Sequence, residues 1–254
     1  MHSLKQQEER RVGLARALSK LGFCSRSRAA ELIRAGRVRL NGNVARNAEA
    51  PVRMEKDRVE VDGVVVRGER RVYFMLNKPR GVVTTASDEK GRETVYAYVP
   101  EGAPWVGAVG RLDKASEGLL LLTNDSEWAA RVTAPETHLE KTYHVQVSGE
   151  MDARKLGAMT KGVLADDGEV LRAKRAEVLR SGEKNMWLVI VLDEGKNREI
   201  RRMMEKLEIE VLRLVRVSIG PLELGEMGKG ECRVLTKGEK EMIDRAMGKI
   251  PARN

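Results

Sequence analysis

Residues 110–125 read Gly-Arg-Leu-Asp-Lys-Ala-Ser-Glu-Gly-Leu-Leu-Leu-Leu-Thr-Asn-Asp, a charged loop followed by an apolar run. Four consecutive leucines between Gly118 and the polar pair Asn124-Asp125 are typical of a short buried strand. Asp113 precedes this strand. It is a candidate reactive group, because burial raises the pKa of a carboxyl group whereas a nearby cation lowers it. A structural pair between Asp113 and Arg111 explains the same local pattern, and the pattern alone favours that simpler interpretation.

Strand and helix patterns surround this stretch from residue 72 to residue 240. Strand patterns cover residues 72–76, 82–85, 143–147, 176–179, 187–192 and 211–217. Helical patterns cover residues 128–132, 151–159 and 197–207. We therefore expect strands and helices to alternate in an α+β domain over residues 72–240.

A smaller α/β module is predicted over residues 11–66. Leucines at helical spacing indicate a first helix, and a second fits residues 26–35 with Ser25 as its N-cap. The dipeptides Asn41-Gly42 and Asp62-Gly63 predict tight turns between short strands. Arginines crowd the module, and the candidates for contact with a polyanion are Arg26, Arg28, Arg34, Arg37 and Arg39.

The positive charge of the chain is concentrated at its N-terminal side. The 254 residues carry a formal net charge of +9. Residues 1–71 contain 17 Lys and Arg against 9 Asp and Glu, a net charge of +8, whereas the remainder contains 30 against 29. Such a concentration of cations is typical of a module that binds a polyanion. Residues 1–10 are polar, and we expect them to form a frayed tail.

The module at residues 11–66 resembles the RNA-binding domain named after small-subunit ribosomal protein S-four. The resemblance rests on two arginine-bearing helices followed by a small β unit that contains Arg-Val-Arg-Leu-Asn-Gly at residues 37–42. A solvated basic helix face is the alternative, and the charge distribution favours RNA binding. Contacts to phosphates position an RNA without reading its sequence, so the resemblance does not specify which RNA is bound.

The cysteines, histidines and apolar runs argue against a disulfide-rich protein, a metalloprotein and a membrane protein. Cys24 and Cys232 lack C-x-x-C spacing, which argues against a structural zinc site or a disulfide framework and favours a reducing compartment. The histidines His2, His138 and His144 form no ligand pattern, so we expect no metal site. No apolar run has the length of a membrane span or the pattern of a signal peptide, and we expect a cytoplasmic protein.

The loop at residues 110–125 resembles the catalytic loop of the RsuA/RluB-like family of pseudouridine synthases. Further blocks of the family pattern lie at residues 76–81, 91–95, 141–145, 194–203 and 216–222. These blocks occur in family order across roughly residues 72–240, so together they identify the family far better than any one of them does.

The resemblance implies a mixed, largely antiparallel catalytic domain with a central cleft. It also implies isomerisation of uridine to pseudouridine in RNA, without a metal or an organic cofactor. The C1′–N1 bond breaks, the base rotates and a C1′–C5 bond forms. Asp113 corresponds to the family carboxylate. It acts as a nucleophile at C1′, as a nucleophile at C6 or as a base at C2′, and the sequence leaves these routes open. The target uridine must leave its stack to reach the site.

A carboxylate that reacts at neutral pH in an apolar cleft needs a cation that keeps its pKa low. Candidates for this partner of Asp113 are Arg111, Lys196 and Arg201. The resemblance favours the basic block at residues 196–202.

A helix over residues 197–207 would place Arg198, Arg201 and Arg202 on one side. That face would serve the catalytic carboxylate, RNA phosphates or both, and a solvated basic face is the alternative. We expect Arg111 either to bind a phosphate that flanks the target uridine or to occupy the space that the flipped base leaves.

Tyr143 matches the family tyrosine. By resemblance, its ring stacks on the uracil and its hydroxyl removes the C5 proton. Core packing is the alternative for a tyrosine on a strand. Ile219 or Val217 is expected to pack beneath the base. Glu117 stands where many family members carry a small residue, which leaves the subfamily open.

The sequence therefore predicts a monomeric rRNA pseudouridine synthase that acts on ribosomal RNA or a pre-ribosomal particle. Large-subunit rRNA is favoured over small-subunit rRNA, because residues 91–95 resemble the RluB-like branch. One alternative is a non-catalytic RNA-binding or ribosome-assembly factor, which would have lost Asp113, Tyr143 or the basic block. Another is a metal-dependent nuclease using Asp113, Asp125 and Glu127, which lacks a further carboxylate cluster with ligand spacing.

Overall fold

The computed structural model describes residues 11–86 and 88–248. These residues form two compact units. The first contains the described residues up to Val72 together with Gly102–Gly107 and Thr123–Ser126, and the second contains the rest. The tail expected at residues 1–10 lies outside the described residues.

The first unit packs two helices and short strands around its own apolar core. Its helices are α1 (Leu14–Lys20) and α2 (Arg26–Arg34). Its strands are β1 (Val12–Gly13), β2 (Val38–Leu40), β3 (Asn43–Val44), β4 (Pro51–Val52), β5 (Val59–Val61) and β6 (Val64–Val65). Strand β1 pairs with β4, and the other four form an antiparallel sheet in the order β3-β2-β5-β6. The core contains Leu14, Leu18, Ile33, Val38 and Val61.

Local sequence signals of this unit are confirmed. The Ser25 hydroxyl accepts a hydrogen bond from the backbone N–H of Arg28, which is the predicted N-cap of α2. Asn41 and Gly42 have φ values of +52° and +84°, so the β2–β3 turn has the two left-handed residues of a type I′ hairpin.

The second unit is built on a mixed sheet. Its strands are β7 (Tyr73–Lys78), β8 (Gly107–Val109), β9 (Glu117–Thr123), β10 (Lys141–Ser148), β11 (Val163–Leu164), β12 (Val170–Leu171), β13 (Arg175–Ser181), β14 (Asn185–Leu192), β15 (Val211–Ile219), β16 (Leu222–Glu223) and β17 (Cys232–Val234). Its helices are α3 (Ser126–Thr133), α4 (Ala153–Lys161), α5 (Glu199–Lys206) and α6 (Lys237–Met247), with 3₁₀ turns at Val95–Tyr98 and Pro135–Thr137. The sheet order is β13-β14-β10-β15-β9-β7-β17, with β16 on β15 and β8 on β9.

The predicted fold class is confirmed. The pairs β13–β14, β14–β10 and β10–β15 are antiparallel, whereas β15 and β9 are parallel. The leucine run of β9 is buried as predicted, because Leu119 to Leu122 are all 0% exposed. A hydrophobic cluster around Leu119, Leu121, Trp128 and Ile243 joins the sheet to α3 and α6.

At Gly118, β9 and β15 approach each other closely. Its φ is +100°, and a Cβ there would lie 2.3 Å from the carbonyl oxygen of Arg216. Only glycine fits such a contact without displacing the backbone. The glycine therefore fixes β15 beside the loop that precedes β9.

Two element predictions were wrong in part. Residues 82–85 form no extended strand and contribute only a bridge between Val83 and Thr94. Helix α5 begins at Glu199 and not at residue 197, because Arg198 has a left-handed φ of +50°. In the described part of the chain, no helix is both long and apolar enough to cross a membrane.

Candidate active site

A cavity of about 350 Å³ lies beside the loop between β8 and β9. Asp113, Tyr143 and Ile219 line it, and they come from that loop, from β10 and from the end of β15. Its volume is in the range of small-ligand pockets in proteins. The second unit thus brings these three predicted site residues to one cavity.

Hydrogen bonds from a neighbouring segment hold the backbone of the Asp113 loop. The Thr84 hydroxyl donates to the Leu112 carbonyl at 2.8 Å, and the Gly81 N–H donates to the Lys114 carbonyl at 2.7 Å. The residues on either side of Asp113 are therefore fixed from outside the loop. Thr84, one of the residues 82–85 that were expected to form a strand, instead binds the Asp113 loop through its side chain.

Two cations bind the end of the same loop. The Lys78 ammonium donates to the Ser116 carbonyl at 2.8 Å, and the Arg201 guanidinium donates to the Ala115 carbonyl at 3.1 Å. Lys78 is completely buried, and this burial lowers its pKa to about 8 although the negative charge of Asp113 acts in the opposite direction. A buried amine with fixed acceptors holds the loop rigidly.

Arg198 is the cation that pairs with Asp113. Its Nη1 lies 3.6 Å from Oδ2 of the carboxylate, and the Asp113 side chain is 26% exposed. Lys196, which the sequence suggested as a partner, also lines the cavity but pairs with Glu194 at 3.1 Å and Glu169 at 3.5 Å. The hydrogen bond with Glu194 raises the pKa of Lys196.

The expected common face of three arginines does not form on α5. Arg198 lies just outside the helix, and Arg202 pairs with Asp167 at 2.6 Å and Glu169 at 2.8 Å. Burial lowers the pKa of Arg201, and Arg198 lowers it further. The three arginines therefore have different partners, since the left-handed turn at Arg198 breaks the helical spacing.

Tyr143 and Ile219 form an apolar part of the cavity wall. Tyr143 is 9% exposed and pairs across the strands with Ile190 and Arg216, and Ile219 is buried. Of the two residues expected beneath the base, Ile219 and not Val217 lines the cavity. Arg111 also lines the cavity and is exposed.

Five charged wall residues were not predicted as site residues, and they are Lys141, Asp193, Glu194, Glu199 and Arg216. Burial lowers the pKa of Lys141, and the neighbouring Arg216 lowers it further. Burial also raises the pKa of Glu199. A charged residue between two valines of the predicted strand at residues 211–217 was the available signal for Arg216.

The predicted RNA-binding arginines of the first unit are all exposed, and they are Arg26, Arg28, Arg34, Arg37 and Arg39. Arg28 pairs with Glu31 at 2.9 Å, and Arg37 pairs with Asp62 at 2.5 Å. Exposed pairs of this kind are weak, so they do not prevent these side chains from binding phosphate.

The carboxylates of the nuclease hypothesis do not form a cluster. Within residues 11–86 and 88–248, no three His, Cys, Asp or Glu side chains lie close enough together to hold a metal ion. Asp125 instead forms an ion pair with Arg71 at 3.0 Å.

Known proteins resemble this chain along most of its length. A sequence profile described as RNA pseudouridylate synthase matches residues 72–206, and one described as S4 domain matches residues 12–59. The Ribosomal large subunit pseudouridine synthase B of Bacillus subtilis (strain 168) is 37% identical over 232 residues, which cover 91% of this chain and 94% of that relative.

Two further comparisons agree with this match. An Uncharacterized RNA pseudouridine synthase of Aquifex aeolicus (strain VF5) is 37% identical over 238 residues, covering 93% of this chain and 95% of the relative. A solved crystal structure of pseudouridylate synthase matches with a TM-score of 0.64 and 30% identity, covering 91% of this chain and 99% of that chain. The chain therefore belongs to the RNA pseudouridylate synthase family and is an RNA pseudouridine synthase with an S4 domain.

Proposed function

We propose that this enzyme isomerises a specific uridine of large-subunit ribosomal RNA to pseudouridine, with Asp113 as the catalytic carboxylate. We choose large-subunit rRNA because the chain is 37% identical, over 91% of its length, to a relative named for the large ribosomal subunit. Small-subunit rRNA is the next candidate. A non-catalytic assembly factor is not retained, because family membership makes the chain an enzyme.

The surroundings of Asp113 support its role. Its carboxylate lies in the wall of a cavity, has Arg198 beside it and stands on a loop whose carbonyl groups are bound from outside. Attack at C1′, attack at C6 and proton removal at C2′ all begin at such a carboxylate. A fixed backbone keeps the carboxylate within reach of the sugar and base.

The other predicted site residues take supporting roles in this proposal. Tyr143 stacks on the uracil and its hydroxyl accepts the C5 proton, while Ile219 packs beneath the base. Arg201 holds the Asp113 loop, and Lys196 supplies positive charge to the cavity. Arg111 binds a phosphate that flanks the flipped nucleotide.

RNA affinity and chemistry are divided between two proposed domains. Residues 11–66 hold the rRNA through Arg26, Arg28, Arg34, Arg37 and Arg39, and residues 72–240 carry out the isomerisation. Arg198 and Arg202 are proposed as further phosphate contacts of the second domain. The exposure of the five arginines and the net charge of +8 over residues 1–71 support this division.

The test compares Asp113→Asn with the wild-type enzyme. Tritium release from C5-labelled uridine in large-subunit rRNA fragments should be abolished in the variant, while RNA binding stays near the wild-type level. Asp166→Asn, which changes an exposed carboxylate outside the cavity wall, is the matched control and should remain active. Substantial turnover by Asp113→Asn would refute the catalytic assignment.

The RNA target is tested separately by mapping pseudouridine in rRNA from cells with and without the gene. A single large-subunit position should lose its modification and regain it when the wild-type gene returns. Loss of a small-subunit position, or of none, would contradict the proposed substrate without affecting the assignment of Asp113.

A further inference from the structure

Arg216 is a buried cation in the wall of the active-site cavity. It is 6% exposed, and its Nε donates to the Leu119 carbonyl at 2.7 Å. Within the part of the chain that the structure describes, its Nη2 has no hydrogen-bond acceptor and no carboxylate lies within ion-pair distance. The guanidinium is therefore bonded on one side only.

A buried guanidinium with an unused donor is unusual, because burying a charged donor without a partner costs free energy. Proteins pair such groups in the great majority of cases, and an exception calls for an explanation. Here the charge acts on the cavity, since Arg216 adds to the effect of burial in lowering the pKa of Lys141, another wall residue. Because the Arg216 side chain lines the cavity, a ligand there would meet a guanidinium that Leu119 satisfies on one side only.

The backbone around Arg216 is fixed before any ligand binds. Gly118 of β9 packs directly against the Arg216 backbone, and Tyr143 of β10 is its partner across the antiparallel pair. The hydrogen bond to Leu119 fixes the base of the guanidinium. The unused donor thus belongs to a preorganised group, which is the arrangement that gives specificity in recognition.

We propose that the Arg216 guanidinium donates a hydrogen bond to a carbonyl oxygen of the target uracil. This inference rests on the proposed function. Tyr143, Leu214 and Ile219 of the same cavity wall are aromatic or aliphatic, which suits the faces of a flat base. Exposed Arg111 is better placed for a phosphate. Arg216 would then be a substrate-contacting residue that selects a base with a carbonyl acceptor.

The test uses the full-length enzyme and a synthetic rRNA fragment with one target position, which carries uridine, 2-thiouridine or 4-thiouridine. Single-turnover conversion is followed by nucleoside chromatography. Because sulfur is the weaker acceptor, we expect one thio substrate to react about 10- to 100-fold more slowly in the wild type, the range for a charged hydrogen bond. In Arg216→Lys, conversion of uridine should fall and the ratio between thio and oxo substrates should approach one.

Arg213→Lys is the matched control, because Arg213 lies on the same strand but pairs with Glu117 outside the cavity wall. It should keep the wild-type ratio. If Arg216 were only structural, Arg216→Lys would slow all substrates equally and keep that ratio, which overturns the proposal. A further fragment with a phosphorothioate at the target position tests contact with a phosphate. An effect of that phosphorothioate that depends on Arg216, without a thiocarbonyl effect, would also overturn the proposal.

The experiment distinguishes failure of the proposed function from failure of the Arg216 inference. If wild-type enzyme converts no uridine in the fragment, the proposed rRNA function fails. If it converts uridine and both thio substrates at equal rates, the function stands and the Arg216 inference fails. This second result needs only the wild-type protein, so it holds even if Arg216→Lys does not fold.

Discussion

Lys78 is a completely buried lysine whose ammonium group donates to the carbonyl groups of Ser116 and Pro79. Burial lowers its pKa from 10.5 to about 8. Between these two values the unfolded chain binds more protons than the folded protein, so stability rises with pH. This contribution is complete above pH 10.5 and is lost as the pH falls through about 8.

We therefore predict that the wild type gains stability relative to Lys78→Met when the pH rises. Methionine has no proton to lose, whereas a neutral Lys78 still donates its hydrogen bonds without the cost of a buried charge. Urea unfolding at about pH 7 and about pH 10 measures the difference in unfolding free energy between the two proteins. An unchanged difference would show that Lys78 does not titrate in this window.

For Tyr143, replacement by phenylalanine separates the ring from the hydroxyl. The ring should still pack and stack, so RNA binding and the melting temperature should stay near wild type. If the hydroxyl takes the C5 proton, single-turnover rates should fall by about 100- to 10,000-fold, the usual contribution of an acid–base group. Tyr143→Ala serves as the comparison and should also lower stability, because it empties a buried site. Near wild-type turnover in Tyr143→Phe would exclude the hydroxyl from the proton chemistry.

At the scale of elements, the parallel pairing of β9 with β15 joins the Asp113 loop to the cavity wall. Glu117 and Gly118 pair with Val215 and Arg216. Glu117, which stands where many family members carry a small residue, is buried and pairs with the guanidinium of Arg213 at 3.0 Å. The charged residue is therefore accommodated by a partner on the neighbouring strand, and it does not line the cavity.

Gly118→Ala should disrupt this pairing. The added Cβ would lie 2.3 Å from the Arg216 carbonyl oxygen at a φ of +100°. Backbone strain and overpacking together predict a loss of about 2–5 kcal/mol of unfolding free energy. Gly149→Ala is the control, since Gly149 has a φ of +82° but nothing within 4 Å of its Cβ position. Chemical denaturation of both variants checks the prediction, and equal losses would contradict the role of the close approach.

At the scale of the whole molecule, the distribution of charge predicts how RNA binding depends on salt. Replacing Arg26, Arg28 and Arg34 of α2 by glutamine should weaken rRNA binding and reduce the slope of log K against log salt by about 2 to 3. The full chain is kept, so the fold of the second unit is not at issue.

Affinity for an rRNA fragment, measured at several salt concentrations, checks this prediction. The control replaces three cations of the second unit by glutamine, and these are Arg154, Lys161 and Lys184. Its slope should change less. Equal changes in both triple variants would mean that RNA affinity is not concentrated in the first unit.

Local patterns predicted the parts of the fold that neighbouring residues determine. The N-cap at Ser25, the turn at Asn41-Gly42 and the buried leucines of β9 depend on contacts or conformations within a few residues. Such features are readable from sequence, because the interacting groups are close along the chain. The order of the sequence blocks predicted the family for a related reason, since each block is local.

Only the tertiary structure decided which distant groups meet. Asp113 pairs with Arg198 and not with Lys196, because the left-handed turn at Arg198 sets the direction of that side chain while Lys196 pairs with Glu194 and Glu169. Arg216 was not predicted as a site residue for the same reason, because its burial depends on the pairing of β15 with β9 and β10. The sequence by itself determined most of the elements, the family and the position of the loop that carries Asp113. The folded sheet decided the partners, since ion pairing depends on distances in space that residue spacing does not encode.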